Sequence, residues 1–342
     1  MEPGGLAMQA FDIPEPAPGE ARIRVAGCGL CHTDIGFFDG SVQPRHALPL
    51  VLGHEITGTV DEAPAPFEHL VGREVIVPAI IPCDRCALCQ AGHENACGAQ
   101  IMPGNDVHGG FATHVVLPAR HLVALGEERG GYSLPELAVV ADAVTTPYQA
   151  LHRAGVQRGD LVVVIGAGGI GTYAVQIAAA LGASVAAVDI DPSKLERLRC
   201  FGASWIFDPR ASDARSVKRR LIEEGCENTA RWRILEMSGT AAGQEFAWAL
   251  LPAAGTLGVV GFTMDRPKIR LSKLMALDAT AFGSWGCSPR LYPAALELVT
   301  SGRIDLRPFV EVHPLGRAQE LFDRMSGGHD PGVARRAVLA PC

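Results

Sequence analysis

Short runs rich in β-branched and apolar residues recur through the first part of the chain. They lie at Ala21–Val25, Ile56–Val60, Glu74–Val77 and Thr113–Leu117, between stretches punctuated by Gly and Pro. This spacing predicts a β-rich unit with irregular connections. From Pro147 the texture changes. Leu161–Ile165 is wholly apolar and bounded by Gly159-Asp160 and Gly166, the pattern of a strand buried on both faces in a parallel sheet. A helix is predicted from Ile170 to Leu181, with Ile170, Ala174, Ile177 and Leu181 on one face. A second strand follows at Ser184–Val188, and Asp191-Pro192 opens another helix as N-cap and first helical residue. Further strands are expected at Arg233–Met237, Thr256–Val260 and Ala279–Phe282. Strands alternating with helices mean a doubly wound α/β unit, the Rossmann arrangement. Its limits are placed at 147–286. The tail, Cys287–Cys342, is too short for a third domain, so it is expected to return and complete the first, 1–146.

Composition narrows the class. The 342 residues are 48% apolar and 20% charged, enough for buried cores and unlike a disordered chain. A formal net charge of -7 argues against a general nucleic-acid binder. Residues 1–20 lack an apolar signal core, and no apolar run reaches the ~18 residues of a membrane span. The expectation is a cytoplasmic protein with no membrane and no nucleic-acid partner.

Three constellations carry chemistry. Gly166-Ala167-Gly168-Gly169-Ile170-Gly171 follows a predicted strand and opens a predicted helix, and Asp189 ends the next strand. Glycines there let the backbone approach a pyrophosphate at the helix N-terminus, while a carboxylate at Asp189 accepts from ribose hydroxyls and repels a 2′-phosphate. NAD is therefore expected over NADP; the bland reading is a Gly-rich turn without cofactor. Second, Cys83, Cys86, Cys89 and Cys97 lie in one short loop. Four thiolates so spaced close a tetrahedral structural zinc site, with unrelated thiols or an iron–sulfur cluster as the alternatives. Third, Cys31, His54 and Glu55 offer a soft, a borderline and a hard ligand in one unit. A catalytic zinc would need one more protein ligand and an open position, and spacing does not identify that ligand.

Gly29 to Asp34, then Gly53-His54-Glu55, the four-cysteine loop, Gly109-Gly110-Phe111-Ala112 and the glycine fingerprint run in an order that resembles the zinc-dependent alcohol dehydrogenase branch of the medium-chain dehydrogenase/reductase family. The resemblance implies a GroES-like catalytic domain and a Rossmann coenzyme domain, α/β overall, with two zinc ions per chain. It implies Asp142 as the remaining ligand beside Cys31 and His54, with Glu55 as an exchangeable carboxylate. Thr33 would relay the alcohol proton, Asp34 would orient His54, His32 would lie near the pyrophosphate, and Lys194 would meet the adenosine ribose. A homodimer or homotetramer is also implied. The stretches Met102–Ala112, Val140–Ala150, Ser238–Gln244 and Arg335–Leu339 resemble a branch that uses NAD to oxidise a ring hydroxyl beta to a CoA thioester carbonyl in anaerobic aromatic breakdown. An acyl-CoA thioester is thus the expected small-molecule substrate. A conjugated enoyl-CoA reductase on the same fold, or a non-catalytic redox sensor that binds NAD and zinc, are the competing functions. Gly36 stands where some relatives carry the outer histidine of a proton relay, so another exit is expected. The start, Met1-Glu2-Pro3-Gly4, falls where relatives have a preceding strand, so an edge strand is expected to be missing.

Overall fold

A computed structural model describes residues 5–326 and 335–341; the start, Met1–Gly4, lies outside them. Backbone contacts divide the chain into two compact units, Met1–Thr145 with Gly286–Cys342, and Thr146–Trp285.

The first unit opens with β1 (Glu20–Gly29), α1 (His32–Phe38), β2 (Glu55–Glu62), β3 (Glu74–Val77), α2 (Ala87–Gln90), β4 (His114–Pro118) and β5 (Val123–Ala124). In β1 the side chains alternate, so Ala21, Ile23 and Val25 point inward and Arg24 outward. They pack with Ile56, Val60, Val75, Val77, Val115 and Leu117, which is why these runs read as strands.

The second unit contains α3 (Thr145–Arg153) from its second residue on, then β6 (Leu161–Ile165), α4 (Gly171–Ala180), β7 (Ser184–Val188), α5 (Pro192–Arg199), β8 (Ala203–Phe207), α6 (Ala214–Glu223), β9 (Trp232–Glu236), α7 (Ala241–Leu250), β10 (Thr256–Val259), α8 (Ser272–Leu277) and β11 (Thr280–Gly283). Its six strands are parallel, in the order β11-β10-β9-β6-β7-β8. Counting from β6, that is 3-2-1-4-5-6, the nucleotide-binding order, with the switch point between β6 and β9. All five residues of β6 are buried, as expected of a central parallel strand. Helix α4 is buried on nearly every side from Gly171 to Ala178, rather than presenting a single apolar face. Asp191 caps α5 by accepting from Ser193 and Lys194 N–H.

The chain then returns to the first unit through α9 (Tyr292–Thr300), β12 (Val310–Pro314), α10 (Ala318–Ser326) and β13 (Arg336–Ala340). Strand β13 runs antiparallel to β1, with Cys28 opposite Leu339 and Gly29 opposite Val338. On the other side of β1, Gly29 faces Glu55 of β2. A sheet ordered β12-β13-β1-β2-β3-β5 results, with β4 also on β1. This register brings the C-terminal Arg336 beside Glu55, which the local sequence pattern does not reveal.

Candidate functional site

Strand β1 ends at Gly29 and the chain turns into α1 with Cys31 at its N-cap position. Asp34, at the third helical position, accepts the Cys31 N–H through Oδ2 at 2.9 Å, which satisfies an otherwise unpaired helix-end donor. Its Oδ1 accepts the Gly53 N–H at 3.1 Å and faces His54 Nδ1 at 3.4 Å. One fully buried carboxylate thereby ties the Cys31 turn to the His54 loop. A carboxylate facing Nδ1 favours a proton on that nitrogen, the tautomer that would present the Nε2 lone pair to a metal.

His54 Nε2 lies 3.8 Å from Asp142 Oδ2, which is itself 3.8 Å from Cys31 Sγ. Asp142 ends the helical turn Pro135–Ala141. The carbonyl before it, on Ala141, accepts from the hydroxyls of Thr145, at 3.1 Å, and of the fully buried Tyr292. Tyr292 in turn accepts the Ala79 N–H at 3.0 Å. Glu55 completes the group: donor atoms of Cys31, His54, Glu55 and Asp142 all lie within 4.8 Å of one another. Glu55 is fully buried and paired with Arg336 through two bonds of 2.9 and 2.6 Å. Gly29 makes this possible, since a Cβ there would sit 2.0 Å from Glu55 Oε2. Burial would lower the Arg336 pKa, but Glu55, Cys31 and Asp142 hold the guanidinium above its ordinary value. Burial lifts the Cys31 thiol; Arg336 and His54 outweigh it and bring the thiol below its usual value, toward the thiolate a metal requires. Thr33 Oγ1 lies 3.8 Å from Cys31 Sγ, and His32 is exposed at the start of α1.

The second cysteine cluster lies apart from this group. Cys83, Cys86, Cys89 and Cys97 also place their sulfurs within 4.8 Å of one another, with Cys86 at 3.5 Å from Cys89 and 3.7 Å from Cys97. Tetrahedral zinc with bonds of about 2.3 Å separates its sulfurs by about 3.8 Å, so the donor set fits. Backbone N–H groups of Arg85 and Cys86 lower the Cys83 thiol to about 6, while burial lifts Cys89 to about 12.

In the second unit Gly166 has φ +94°, and a Cβ there would meet Ser238 N at 2.5 Å. Only glycine fits this turn at the switch point. A Cβ on Gly168 would meet nothing within 4 Å, so that backbone borders open space. Gly169 and Ile170 lead into α4, whose N-terminus no side chain caps. An open glycine loop before an uncapped helix end suits a pyrophosphate. Asp189 accepts N–H bonds from Ala167 at 2.6 Å and Asp191 at 2.8 Å, which fixes its carboxylate beside the glycine loop. Lys194 Nζ lies 4.0 Å from Asp191.

Arg336 and Tyr292 escaped the reading of the sequence. Arg336 was read only within the stretch Arg335–Leu339 of the returning tail, and Tyr292 carried no signal beyond its place in that tail.

A GroES-like unit that gathers zinc-type donors, followed by a Rossmann unit with a glycine turn at its switch point, defines a zinc-binding dehydrogenase of the medium-chain type. Comparison with known proteins agrees. Residues 17–127 match the alcohol dehydrogenase GroES-like domain and residues 169–301 the zinc-binding dehydrogenase domain. An alcohol dehydrogenase of Geobacillus stearothermophilus is 30% identical over 336 residues, covering 98% of this chain and 96% of that protein. Galactitol-1-phosphate dehydrogenase from Escherichia coli superposes with a TM-score of 0.89 at 27% identity, covering 99% of this chain and 98% of that one. A cobalt- and zinc-bound thermostable alcohol dehydrogenase from Pyrobaculum aerophilum gives 0.82 at 26% identity, covering 97% and 94%. The chain belongs to the zinc-dependent alcohol dehydrogenase family, oxidoreductases that act on CH–OH groups.

Proposed function

We propose that this chain is an NAD-dependent secondary-alcohol dehydrogenase in which Cys31, His54 and Asp142 hold a catalytic zinc and Glu55 is the exchangeable carboxylate. The observation that carries the reading is the convergence of those four donors with Asp34 behind His54. Cys83, Cys86, Cys89 and Cys97 hold a second, structural zinc. When bound, the catalytic zinc supplies Lewis acidity that lowers the pKa of an alcohol hydroxyl, and the nicotinamide supplies the hydride acceptor. The residues do the rest. Thr33 Oγ1 takes up the hydroxyl proton and passes it outward. Asp34 holds the His54 ring and its tautomer. Arg336 pairs with Glu55 and opposes the burial that pushes its carboxyl well above the ordinary carboxylate range, and so positions it to exchange as a ligand. Gly166, Gly168, Gly169, Ile170 and Gly171 cradle the pyrophosphate with His32 nearby, and Asp189 and Lys194 bind the adenosine ribose.

For the substrate we infer 6-hydroxycyclohex-1-ene-1-carbonyl-CoA, oxidised to the 6-oxo thioester in anaerobic degradation of aromatic compounds through benzoyl-CoA. Support for this is the resemblance of Met102–Ala112, Val140–Ala150 and Ser238–Gln244 to that branch. All nine described cysteines are free, in keeping with a reducing cytoplasm, and no described helix is long and apolar enough to cross a membrane. The chain forms a homodimer or homotetramer. The outer edge of β11 is exposed, and Phe262, Met264, Leu271 and Met275 of the same unit are exposed apolar residues, suited to a second copy. The test is NAD reduction with the hydroxy thioester against simple alcohols, each with and without chelator. Faster, chelator-sensitive turnover of the thioester is expected. Equal or better turnover of simple alcohols would remove the CoA assignment. Chelator-resistant NADH oxidation by a conjugated enoyl thioester would favour the reductase.

A further inference from the structure

A second pair of charges stands beside Asp189. Strand β8, the neighbour of β7, ends at Phe207 and runs into Asp208-Pro209-Arg210. Arg210 folds back over the end of β7, and its Nη2 donates to the carbonyl of Ile190, the residue after Asp189, at 2.5 Å. Asp208 clasps the same guanidinium. Nε lies 3.0 and 3.2 Å from its two oxygens and Nη2 lies 2.7 Å from Oδ2, while the Arg210 N–H donates to Oδ1 at 2.9 Å. Asp189 is within electrostatic reach of the guanidinium. Asp191 and Lys194, just after β7, form a further charged pair.

The two signs at this site favour opposite cofactors. A carboxylate at Asp189 favours a free ribose 2′-hydroxyl. A guanidinium is the side chain best shaped for a phosphate, because its planar donors can bind two oxygens at once. Arg210 sits where it could serve a 2′-phosphate, but its donors and charge are already engaged by Asp208. The pair is exposed and contributes little to stability; its consequence is the position and net charge of the guanidinium.

We propose that Asp208 is a specificity-determining residue for the dinucleotide: by clasping Arg210 it withholds that cation from a 2′-phosphate, so Asp189 and Asp208 together select NAD. This rests on the nucleotide site proposed above.

The test uses the full-length, zinc-loaded protein and calorimetric titration with 5′-AMP and adenosine 2′,5′-bisphosphate, two probes that differ by the phosphate in question. Wild type should bind 5′-AMP the more tightly. Asp208→Asn should shift the preference toward the bisphosphate by about tenfold, the size expected of a charge-assisted contact. That gain should shrink at high salt, as for an exposed charge. Asp208→Asn combined with Arg210→Gln should erase it. An unmoved preference in Asp208→Asn, or a gain that survives the loss of Arg210, overturns the proposal while NAD binding by wild type upholds the site. Failure of wild type to bind either NAD or 5′-AMP overturns the nucleotide site and this proposal with it.

Discussion

Single side chains here act through the partner behind them. His54 offers Nε2 toward Cys31 and Asp142 because Asp34 faces its other nitrogen. Asp34→Asn replaces an acceptor by a group that can present a donor, so the tautomer is no longer held. The expected cost is about 10- to 100-fold in zinc affinity or turnover with the fold intact, read from zinc retained after chelator dialysis and from kcat/KM. Arg336 is the counterpart for Glu55, with both side chains nearly or fully buried. Arg336→Ala leaves a buried carboxylate unpaired and should destabilise the first unit by about 3–5 kcal/mol in urea unfolding. Adding Glu55→Gln should restore part of that loss; no restoration would mean that Arg336 stabilises by packing instead.

At the scale of elements, two loops carry separate loads. In the four-cysteine loop, Cys83 is lowered to about 6 by backbone N–H groups. A depressed folded-state pKa means the thiolate form is favoured above that value and lost as pH falls through it. In zinc-free protein, alkylation at Cys83 should therefore reach half its plateau rate near pH 6, and an ordinary thiol profile, rising only above pH 8, would count against the loop being pre-organised. In the glycine loop, two substitutions separate folding from binding. Gly166→Ala meets Ser238 and a positive φ, so it should cost at least about 1–2 kcal/mol in a thermal melt. Gly168→Ala meets no protein atom, so it should leave the melt unchanged and still weaken NAD binding, because the added methyl projects into the space assigned to the pyrophosphate. Equal NAD affinity in Gly168→Ala would place the pyrophosphate elsewhere.

For the whole molecule, what could be read in advance depended on whether the information was local. The central strands of the second unit were legible because a strand covered on both faces must be apolar throughout, as β6 is. Strand β8 was not, because at the sheet edge Ser204 is exposed and Trp205 and Ile206 are only half-buried, so neither an apolar run nor a clean alternation survives. The closing strands β12 and β13 were legible only as a returning tail: β13 pairs with β1 at the far end of the chain, and no short window encodes its partner. The same division holds at the site. Cys31, His54 and Glu55 stand out as residue types, whereas Asp142 entered by family resemblance and Arg336 needed the register of three strands. Fold and family follow from both readings, while the ion pair behind the metal donors belongs to the tertiary structure alone.

In the proposed mechanism one of two zinc ions does the chemistry, held by Cys31, His54 and Asp142. Zinc per chain measured alongside NAD reduction in Cys31→Ser tests it most directly. This variant should keep the zinc of the four-cysteine loop, lose the other, and lose turnover. Full turnover with a single zinc remaining would contradict it.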